Sequence, residues 1–317
     1  MNIFTFIKKI LRLKEINKEN KKIEETSTFL LSRHDKFVSK YPNLAIFAFD
    51  RVGAAISLSG IFEEFVLEAL KEKIFNNINT KDSVCLDVGA NIGNHSLYFS
   101  NFFNKIYSFE PHPETFELLK LNTRKSKNIE IFHFGLSNKN NKMQLTTESG
   151  TEYGASSLSS IEEFNNNSND VKNFEVQVRK FDDILENKKI DGNISFIKLD
   201  VEHHELEVLQ GMKETLRIHS PIICLEQHEE HFDYFNGNLS SDTINYLKEN
   251  QYLYFYEILF SRNWKFYNDY HPILKKIIKM IEAVLYDYPK KISILLPIEK
   301  FIKKTYPAII FSKKPIK

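Results

Sequence analysis

Apolar and polar residues alternate in short blocks along most of this chain. From residue 84 onward, apolar runs of strand length are separated by stretches whose apolar residues recur at helical spacing. The predicted strands are 83–89, 105–111, 129–136, 195–201, 221–227, 252–260 and 308–313. The predicted helices are 94–104, 113–126, 204–219 and 241–250. Continuous apolar strands joined by helical crossovers predict an α/β, doubly wound fold, in which helices cover both faces of a mostly parallel sheet.

Three segments fall outside this alternation. Residues 1–80 precede the sheet and are predicted to form an N-terminal extension, with a hairpin near 47–60 and a helix at 61–76. Residues 137–175 are rich in Ser, Asn and Gly, which is typical of a lid or a disordered loop. Residues 265–305 are predicted to form a helical insertion before the last strand. The sheet-containing domain is therefore predicted to cover residues 81–317.

The overall composition is that of a folded soluble protein, with 42% hydrophobic residues, 27% charged residues and a formal net charge of +1. This balance does not predict nucleic acid as a partner. Cys85 and Cys224 lie in apolar runs without metal-ligand spacing, so we expect two buried, reduced thiols. The N-terminus lacks the pattern of a signal peptide, and no uncharged run reaches the ~20 residues that span a bilayer. A cytoplasmic location is therefore expected.

The charge is unevenly distributed along the chain. Residues 1–22 carry seven Lys or Arg against two Glu, and residues 265–317 carry twelve Lys against four Asp or Glu. Both segments place an apolar stripe at helical spacing opposite lysines, formed by Ile3, Phe6, Ile7, Ile10 and Leu11 and by Ile273, Ile277, Ile281 and Leu285. Two interpretations remain open. The stripes pack on the protein itself or on a second copy in a homo-oligomer, or they lie on the anionic inner face of a membrane.

The first candidate site is the turn after the first predicted strand, "CLDVGANIGNHS" at 85–96. Here Asp87, Gly89, Asn91 and Gly93 stand where the strand becomes a helix, at the edge where open α/β sheets bind ligands. Glycine lets a ligand approach the backbone closely. No Gly-Lys-Ser/Thr follows, so the turn is not a P-loop.

The nature of this ligand is indicated by two acids. Asp87 suits a ligand with a positive end better than a pyrophosphate, and Glu110 ends the second strand where a ribose-binding acid is expected. S-adenosylmethionine has a positively charged sulfonium, an amino-acid tail and ribose hydroxyls, so it meets the requirements of both acids. Because Glu110 would serve a dinucleotide equally well, an NAD-dependent oxidoreductase remains an alternative.

The second candidate site combines two later strand ends. "FIKLDVEHHELEVLQGM" at 196–212 carries Asp200, Glu202, His203 and His204, and "CLEQHEEH" at 224–231 carries Glu226 and His228. Adjacent parallel strands would bring both groups to the same edge as the glycines. Such residues could bind an acceptor and remove its proton. They could also cap helices and face solvent. A metal site of Asp200, Glu202 and a histidine is an alternative, but no diagnostic spacing supports it and none is predicted.

Four blocks in the same order, "CLDVGANIGNHSLYFS", "FEPHPETFELLKLN", "FGLSN" and "VRKFDDILENKKIDGNISFIKLDVEHHELEVLQGM", resemble the FkbM family of S-adenosylmethionine-dependent methyltransferases. The resemblance covers about residues 83–230. It implies a class I methyltransferase (Rossmann-like) fold, whose seven-stranded sheet has its last strand antiparallel. It also implies O-methylation of a sugar hydroxyl in a glycan, glycolipid or related natural product.

The resemblance also implies roles for individual residues. Asp87, Gly89, Asn91 and Gly93 would line the methionine part of the cofactor, Glu110 would hold the ribose, and Leu136 and Ser137 would lie near the adenine. One position departs from the family pattern, which commonly has glycine where this chain has His203. A side chain at that turn either narrows the acceptor site or points away from it.

Methyl transfer from a sulfonium is an in-line displacement, so an enzyme must align the acceptor oxygen with the methyl carbon. An alcohol also needs a base to take its proton. We expect His228 to be this base, with His204 as second candidate and Asp200 or Glu226 orienting the base or a sugar hydroxyl. A non-catalytic cofactor-binding or glycan-assembly module is a further alternative.

Overall fold

The computed structural model describes residues 3–37, 39–48, 50–148, 156–159, 171–187, 192–235, 238–261 and 292–316. The chain divides into two compact units, Met1–Phe62 and Glu63–Lys317. The division falls earlier than the predicted boundary after residue 80. The helix α3 (Glu64–Lys73) explains the difference, because it packs on strands of the main sheet and therefore belongs to the second unit.

The described residues of the first unit form two helices, α1 (Ile3–Phe37) and α2 (Arg51–Ser59). The predicted hairpin near 47–60 is wrong, since most of that stretch is α2. Asp50 caps this helix by accepting hydrogen bonds from the backbone N–H groups of Val52 and Gly53, and Gly60 ends it with a left-handed φ of 81°. These local capping signals outweigh the alternation of apolar residues that indicated a strand.

The second unit holds the remaining helices and all the described strands. After α3 its helices are α4 (Asn94–Phe99), α5 (Pro113–Thr123), α6 (Phe181–Glu186), α7 (Glu205–Gln210), α8 (Lys213–Ile218) and α9 (Asp242–Glu249). Its strands are β1 (Ser83–Val88), β2 (Lys105–Phe109), β3 (Ile129–Phe132), β4 (Gly135–Leu136), β5 (Asn141–Glu148), β6 (Ser156–Ser159), β7 (Val171–Arg179), β8 (Asn193–Leu199), β9 (Ile222–Gln227), β10 (Asp233–Phe235), β11 (Asn238–Ser240), β12 (Tyr254–Ser261), β13 (Ile292–Pro297) and β14 (Tyr306–Ser312).

The main sheet has the strand order β13-β12-β14-β9-β8-β1-β2-β3. Strands β3, β2, β1, β8 and β9 pair in parallel, and β14 lies antiparallel between β9 and β12. The predicted class I methyltransferase fold with an antiparallel last strand is thus confirmed. Chain order reverses between β1 and β8, so the carboxyl ends of these two strands border the crevice where open α/β sheets bind ligands.

The sheet has eight described strands rather than the predicted seven. The additional edge strand, β13, lies within the predicted helical insertion at 265–305 and pairs antiparallel with β12. The prediction of an all-helical insertion is therefore wrong. Its residues 265–291, which carry the second apolar stripe, lie outside the described residues.

A second sheet, ordered β4-β7-β5-β6, corrects the prediction of a lid or disordered loop at 137–175. Strands β5 and β7 pair antiparallel along the whole of β5. Their buried residues alternate along each strand, with Met143 and Leu145 on β5 and Val176 and Val178 on β7. Each strand has few apolar residues, so the Ser- and Asn-rich composition hid a half-buried pair of strands.

The core is formed where helices cover the main sheet. All six residues of β1 are buried, including Cys85, and Cys224 on β9 is buried too, so the prediction of buried, free thiols is confirmed.

The predicted helix at 204–219 is two helices, α7 and α8, separated at Gly211. Among the described residues, every helix is too short or too polar to cross a bilayer.

Candidate functional site

A cleft opens at the carboxyl ends of β1, β2 and β8. It encloses about 650 Å³ of empty space, part of which is open solvent. Phe109, Pro111, Leu136 and Leu145 form apolar walls, whereas Gly89, Asn91, Glu110, Asp200 and Glu202 contribute polar groups.

The turn from Gly89 to Gly93, which we call the glycine turn, forms one side of the cleft. Gly89 has a left-handed φ of 78°, and a Cβ built on it would lie 1.8 Å from the carbonyl oxygen of Asp200. Gly93 has a φ of 92° and begins α4. The backbone N–H groups of Gly89 and Ala90 donate to the carbonyl oxygen of Phe109, both at 3.0 Å. Glycine at residue 89 thus lets the ends of β1 and β8 come into contact.

Glu110 joins the glycine turn to the end of β2. Its Oε2 accepts a hydrogen bond from the backbone N–H of Asn91 at 2.9 Å, and its Oε1 accepts from the N–H of His112 at 2.8 Å. The side chain is buried, and this burial raises the pKa of Glu110 to about 7, although the two N–H donors oppose the shift. Each carboxylate oxygen can accept another hydrogen bond. Glu110 is therefore a fixed acceptor on the wall of the cleft.

Asp87 lies beneath the glycine turn and is not part of the cleft lining. Its side chain is fully buried, and its Oδ2 accepts a hydrogen bond from the hydroxyl of Ser96 at 2.5 Å. Its Oδ1 has no hydrogen-bond partner among the described residues. Asp87 also acts on the buried Lys198. Burial lowers the pKa of Lys198, but attraction to Asp200 and Asp87 outweighs burial and the net shift is upward. Gly93 also lies outside the cleft lining.

The two residues predicted near the adenine are placed differently. Leu136 lines the cleft, but Ser137 is buried and its hydroxyl oxygen lies 3.0 Å from Nε2 of His204. His204 is buried as well, and burial lowers its pKa despite the nearby Glu207 carboxylate. His204 is therefore engaged with Ser137 and lies outside the cleft lining.

Asp200 reaches the cleft from the end of β8. The ammonium of Lys198 donates to its Oδ2 at 2.9 Å. Burial alone would raise the pKa of Asp200. Attraction to Lys198, the hydrogen bond from Lys198 and attraction to two histidines together outweigh burial, and the net shift of the pKa is downward. Glu226, half-buried at the end of β9, behaves in the opposite way. Burial, followed by repulsion from Asp200 and Glu202, raises the pKa of Glu226 to about 7. The two neighbouring carboxylates thus differ in charge near neutral pH.

Three histidines meet beside these acids, and we call His203, His228 and His231 the histidine cluster. The ring centroid of His203 lies 4.5 Å from that of His228 and 4.7 Å from that of His231. Nδ1 of His203 is 2.7 Å from Nε2 of His231. Burial, and then repulsion from the other histidines, lowers the pKa of His203. The cluster places His228, the predicted base, next to Glu202 on the cleft wall.

Several site residues were missed by sequence reasoning. Leu145 reaches the cleft from β5, and its signal was hidden in a stretch that resembled a loop. His231 lies in the quoted "HEEH" block but was given no role, because only the tertiary structure brings it to His203. His95 and Glu63, whose Nε2 and Oε2 lie 3.4 Å apart, also act electrostatically at this edge, His95 on Asp200 and Glu63 on Glu226.

The chain is similar to known methyltransferases. The family model of the methyltransferase FkbM domain matches residues 87–254, more than half of the chain. The hexuronic acid methyltransferase AglP of Haloferax volcanii is 30% identical over 138 residues, covering 43% of this chain and 53% of AglP. The chain thus matches about half the length of this relative. The matched residues 87–254 run from the glycine turn to beyond the histidine cluster.

Two solved methyltransferase structures show low similarity to the chain. Methyltransferase FkbM from Methylobacillus flagellatus KT is 20% identical, with a TM-score of 0.34, over 48% of this chain and 34% of that chain. A precorrin-6y C5,15-methyltransferase from Geobacter metallireducens GS-15 is 12% identical, with a TM-score of 0.42, over 87% of this chain and 100% of that chain.

Proposed function

The chain belongs to the methyltransferase FkbM domain family, and we propose that it transfers a methyl group from S-adenosylmethionine to a saccharide hydroxyl. The observation that carries the proposal is Glu110, a carboxylate anchored by two backbone N–H groups on the wall of a cleft beside the glycine turn. A buried acid with unused acceptor capacity suits the hydroxyl pair of a ribose.

The residues of the cleft fit this cofactor. The polar side, formed by the glycine turn and Glu110, offers backbone atoms and a carboxylate to the methionine and ribose parts. The apolar walls at Phe109, Leu136 and Leu145 suit the adenine ring. When bound, S-adenosylmethionine supplies an electrophilic methyl group. The chain's own task is then to position the acceptor, exclude water and remove a proton.

The acceptor is proposed to bind where β8 and β9 end. Asp200, held ionised by Lys198, can accept hydrogen bonds from sugar hydroxyls. Two side chains are placed to take the proton of the reacting hydroxyl, the imidazole of His228 and the carboxylate of Glu226. Glu226 has the raised pKa of a group that exchanges protons near neutral pH. The similarity to a protein named as a hexuronic acid methyltransferase supports a sugar as acceptor.

A hexuronic acid presents two possible oxygen nucleophiles, a hydroxyl and a carboxylate. The acceptor side of the cleft carries Asp200 and Glu202, and Glu226 lies close to both. A carboxylate acceptor would be repelled by these acids, whereas a hydroxyl could donate to them. We therefore propose an ether product rather than a methyl ester.

The test uses purified full-length protein, S-adenosylmethionine with a labelled methyl group, and separate pools of neutral and acidic saccharides and glycolipids. We expect the label to appear in a saccharide and to survive mild alkali, which hydrolyses methyl esters but not methyl ethers. The variant Glu110→Ala, assayed at a cofactor concentration below saturation, serves as the control with reduced labelling. Label released by alkali would overturn the hydroxyl as acceptor. Tight cofactor binding without any labelled saccharide would instead indicate a non-catalytic module.

A further inference from the structure

Three metal-ligating side chains meet at the rim of the cleft, outside the groups that hold the cofactor. Glu202 and His203 follow β8, and His228 follows the neighbouring strand β9. Each can offer one ligand atom, and these atoms all lie within 4.8 Å of one another. Two imidazoles with one carboxylate suit zinc and similar first-row metals, whereas magnesium and calcium prefer oxygen ligands alone.

The backbone at this turn is unusual. Glu202 has a φ of 49° and His203 a φ of 73°, so two consecutive residues other than glycine occupy the left-handed region. Such conformations are unfavourable for residues with a Cβ and persist where the surrounding structure holds them. The turn brings side chains that are adjacent in sequence to the same partner, His228, whereas adjacent residues of an extended strand point to opposite faces.

A line of hydrogen bonds holds the ring of His203 from behind. His203 Nδ1 lies 2.7 Å from His231 Nε2, and His231 Nδ1 lies 3.2 Å from Gln227 Nε2. The buried Gln227 in turn accepts a hydrogen bond from the hydroxyl of Ser241 at 2.9 Å. Metal-bound histidines are commonly oriented by a hydrogen bond to their second ring nitrogen, and His231 offers such a bond here.

We propose that Glu202, His203 and His228 bind one divalent transition-metal ion, with Zn²⁺ as the reference ion, and leave a coordination position open to the cleft. Glu202 belongs both to this group and to the cleft wall, so the ion would lie at the acceptor side. Two further carboxylates, those of Asp200 and Glu230, act electrostatically on the histidines and complement a cation.

The catalytic consequence rests on the proposed function. The open position would hold the acceptor hydroxyl and His228 would be a ligand. Glu226, half-buried at the end of β9 and two positions from His228, is then the carboxylate placed to take the proton. In that step the hydroxyl oxygen forms a bond to the methyl carbon, the carbon–sulfur bond breaks with its electron pair passing to sulfur, and the hydroxyl proton passes to Glu226. The reaction needs no oxidant or reductant.

The site can be tested by metal binding alone, using full-length protein first treated with a chelator. Co²⁺ is titrated while its visible absorption is recorded, and Zn²⁺ binding is measured by calorimetry. We expect the wild type to bind one ion per chain. In His203→Gly, Zn²⁺ binding should be weaker by at least about 100-fold, because the variant loses a metal ligand together with the hydrogen bond from His231 that orients it. Glycine is favoured at a φ of 73°, so this variant should fold. His133 is exposed and is not a member of the histidine cluster, so His133→Gln is the matched control and should bind as the wild type does.

Equal Zn²⁺ affinity in the wild type and His203→Gly would overturn the site, as would a wild type that binds no ion saturably. Neither result depends on methyl transfer, so the site and the proposed function can fail separately. A chelator-treated protein that methylates saccharide as fast as the Zn²⁺-loaded protein would overturn the catalytic role of the ion.

Discussion

The cofactor side and the acceptor side of the cleft share one strand edge but are built differently. On the cofactor side, Glu110 is fixed by two backbone N–H groups, and the glycine turn brings β1 against the end of β8. On the acceptor side, the chemistry comes from charged side chains of two strands, several of them half-buried. The cofactor side thus depends on backbone geometry, whereas the acceptor side depends on side-chain identity.

This difference separates two tasks. A shared cofactor can be held by main-chain atoms and one anchored acid, which tolerate changes elsewhere in the chain. An acceptor is distinguished by the charge and reach of individual side chains, such as the ionised Asp200 and the more basic Glu226. Changes on the acceptor side should therefore alter turnover, and changes on the cofactor side should alter cofactor affinity.

The largest effect is expected on the acceptor side. His228→Ala removes an imidazole that serves as base or metal ligand, so turnover should fall by roughly 10²–10⁴-fold. The affinity for S-adenosylhomocysteine should stay unchanged, because His228 is not among the cofactor-side residues. Steady-state kinetics and calorimetry measure the two quantities, with His133→Gln as control. Turnover within a few fold of the wild type would remove His228 from the reaction.

The next effect is expected on the cofactor side. Glu110→Ala should weaken S-adenosylhomocysteine binding by about 1.5–3 kcal/mol, the contribution of hydrogen bonds to a charged group. Calorimetry measures the loss. Glu117→Gln, a change at an exposed acid on α5, is the matched control and should leave binding as it is. An unchanged affinity in Glu110→Ala would show that Glu110 does not contact the cofactor.

A smaller effect is expected from pH. Because burial raises the pKa of Glu110 to about 7, a proton competes with ribose hydroxyls for this carboxylate at lower pH. Cofactor affinity should therefore rise with pH, by up to about tenfold between pH 6 and pH 8. Calorimetry across this range should show the rise in the wild type and a flat profile in Glu110→Gln. The same slope in both proteins would assign the titration to another group.

The smallest effect per residue concerns the basic N-terminal segment on α1. We predict that residues 1–22 bind anionic membranes, with each near-surface Lys or Arg contributing about 1 kcal/mol, so one removed charge should weaken binding about fivefold. Co-sedimentation with anionic and neutral vesicles measures this binding at low and high salt. Deletion of residues 1–22 should abolish it. If the intact chain does not bind anionic vesicles at low salt, the result favours the alternative, in which the apolar stripe packs within the protein or between two copies of it.

The sequence by itself determined the strands of the parallel core, the crossovers and the place of the glycine turn. Each of these depends on short-range information. An apolar run of strand length predicts a buried strand, and the turn residues lie within a few positions of the strand that they follow. The same holds for Glu110, whose position at the end of β2 could be read from spacing along the chain.

Tertiary structure alone decided the features that depend on distant partners. Strands β5 and β7 gain their buried face only by pairing with each other, and β13 becomes a strand by pairing with β12. Asp87 is predicted to line the methionine part of the cofactor, and its hydrogen bond from Ser96, at the start of α4, is a contact that the sequence did not indicate. His203 and His231 lie 28 positions apart in the chain, and their contact depends on the register of β8 beside β9. Sequence spacing fixes local conformation, but only packing decides which side chains meet.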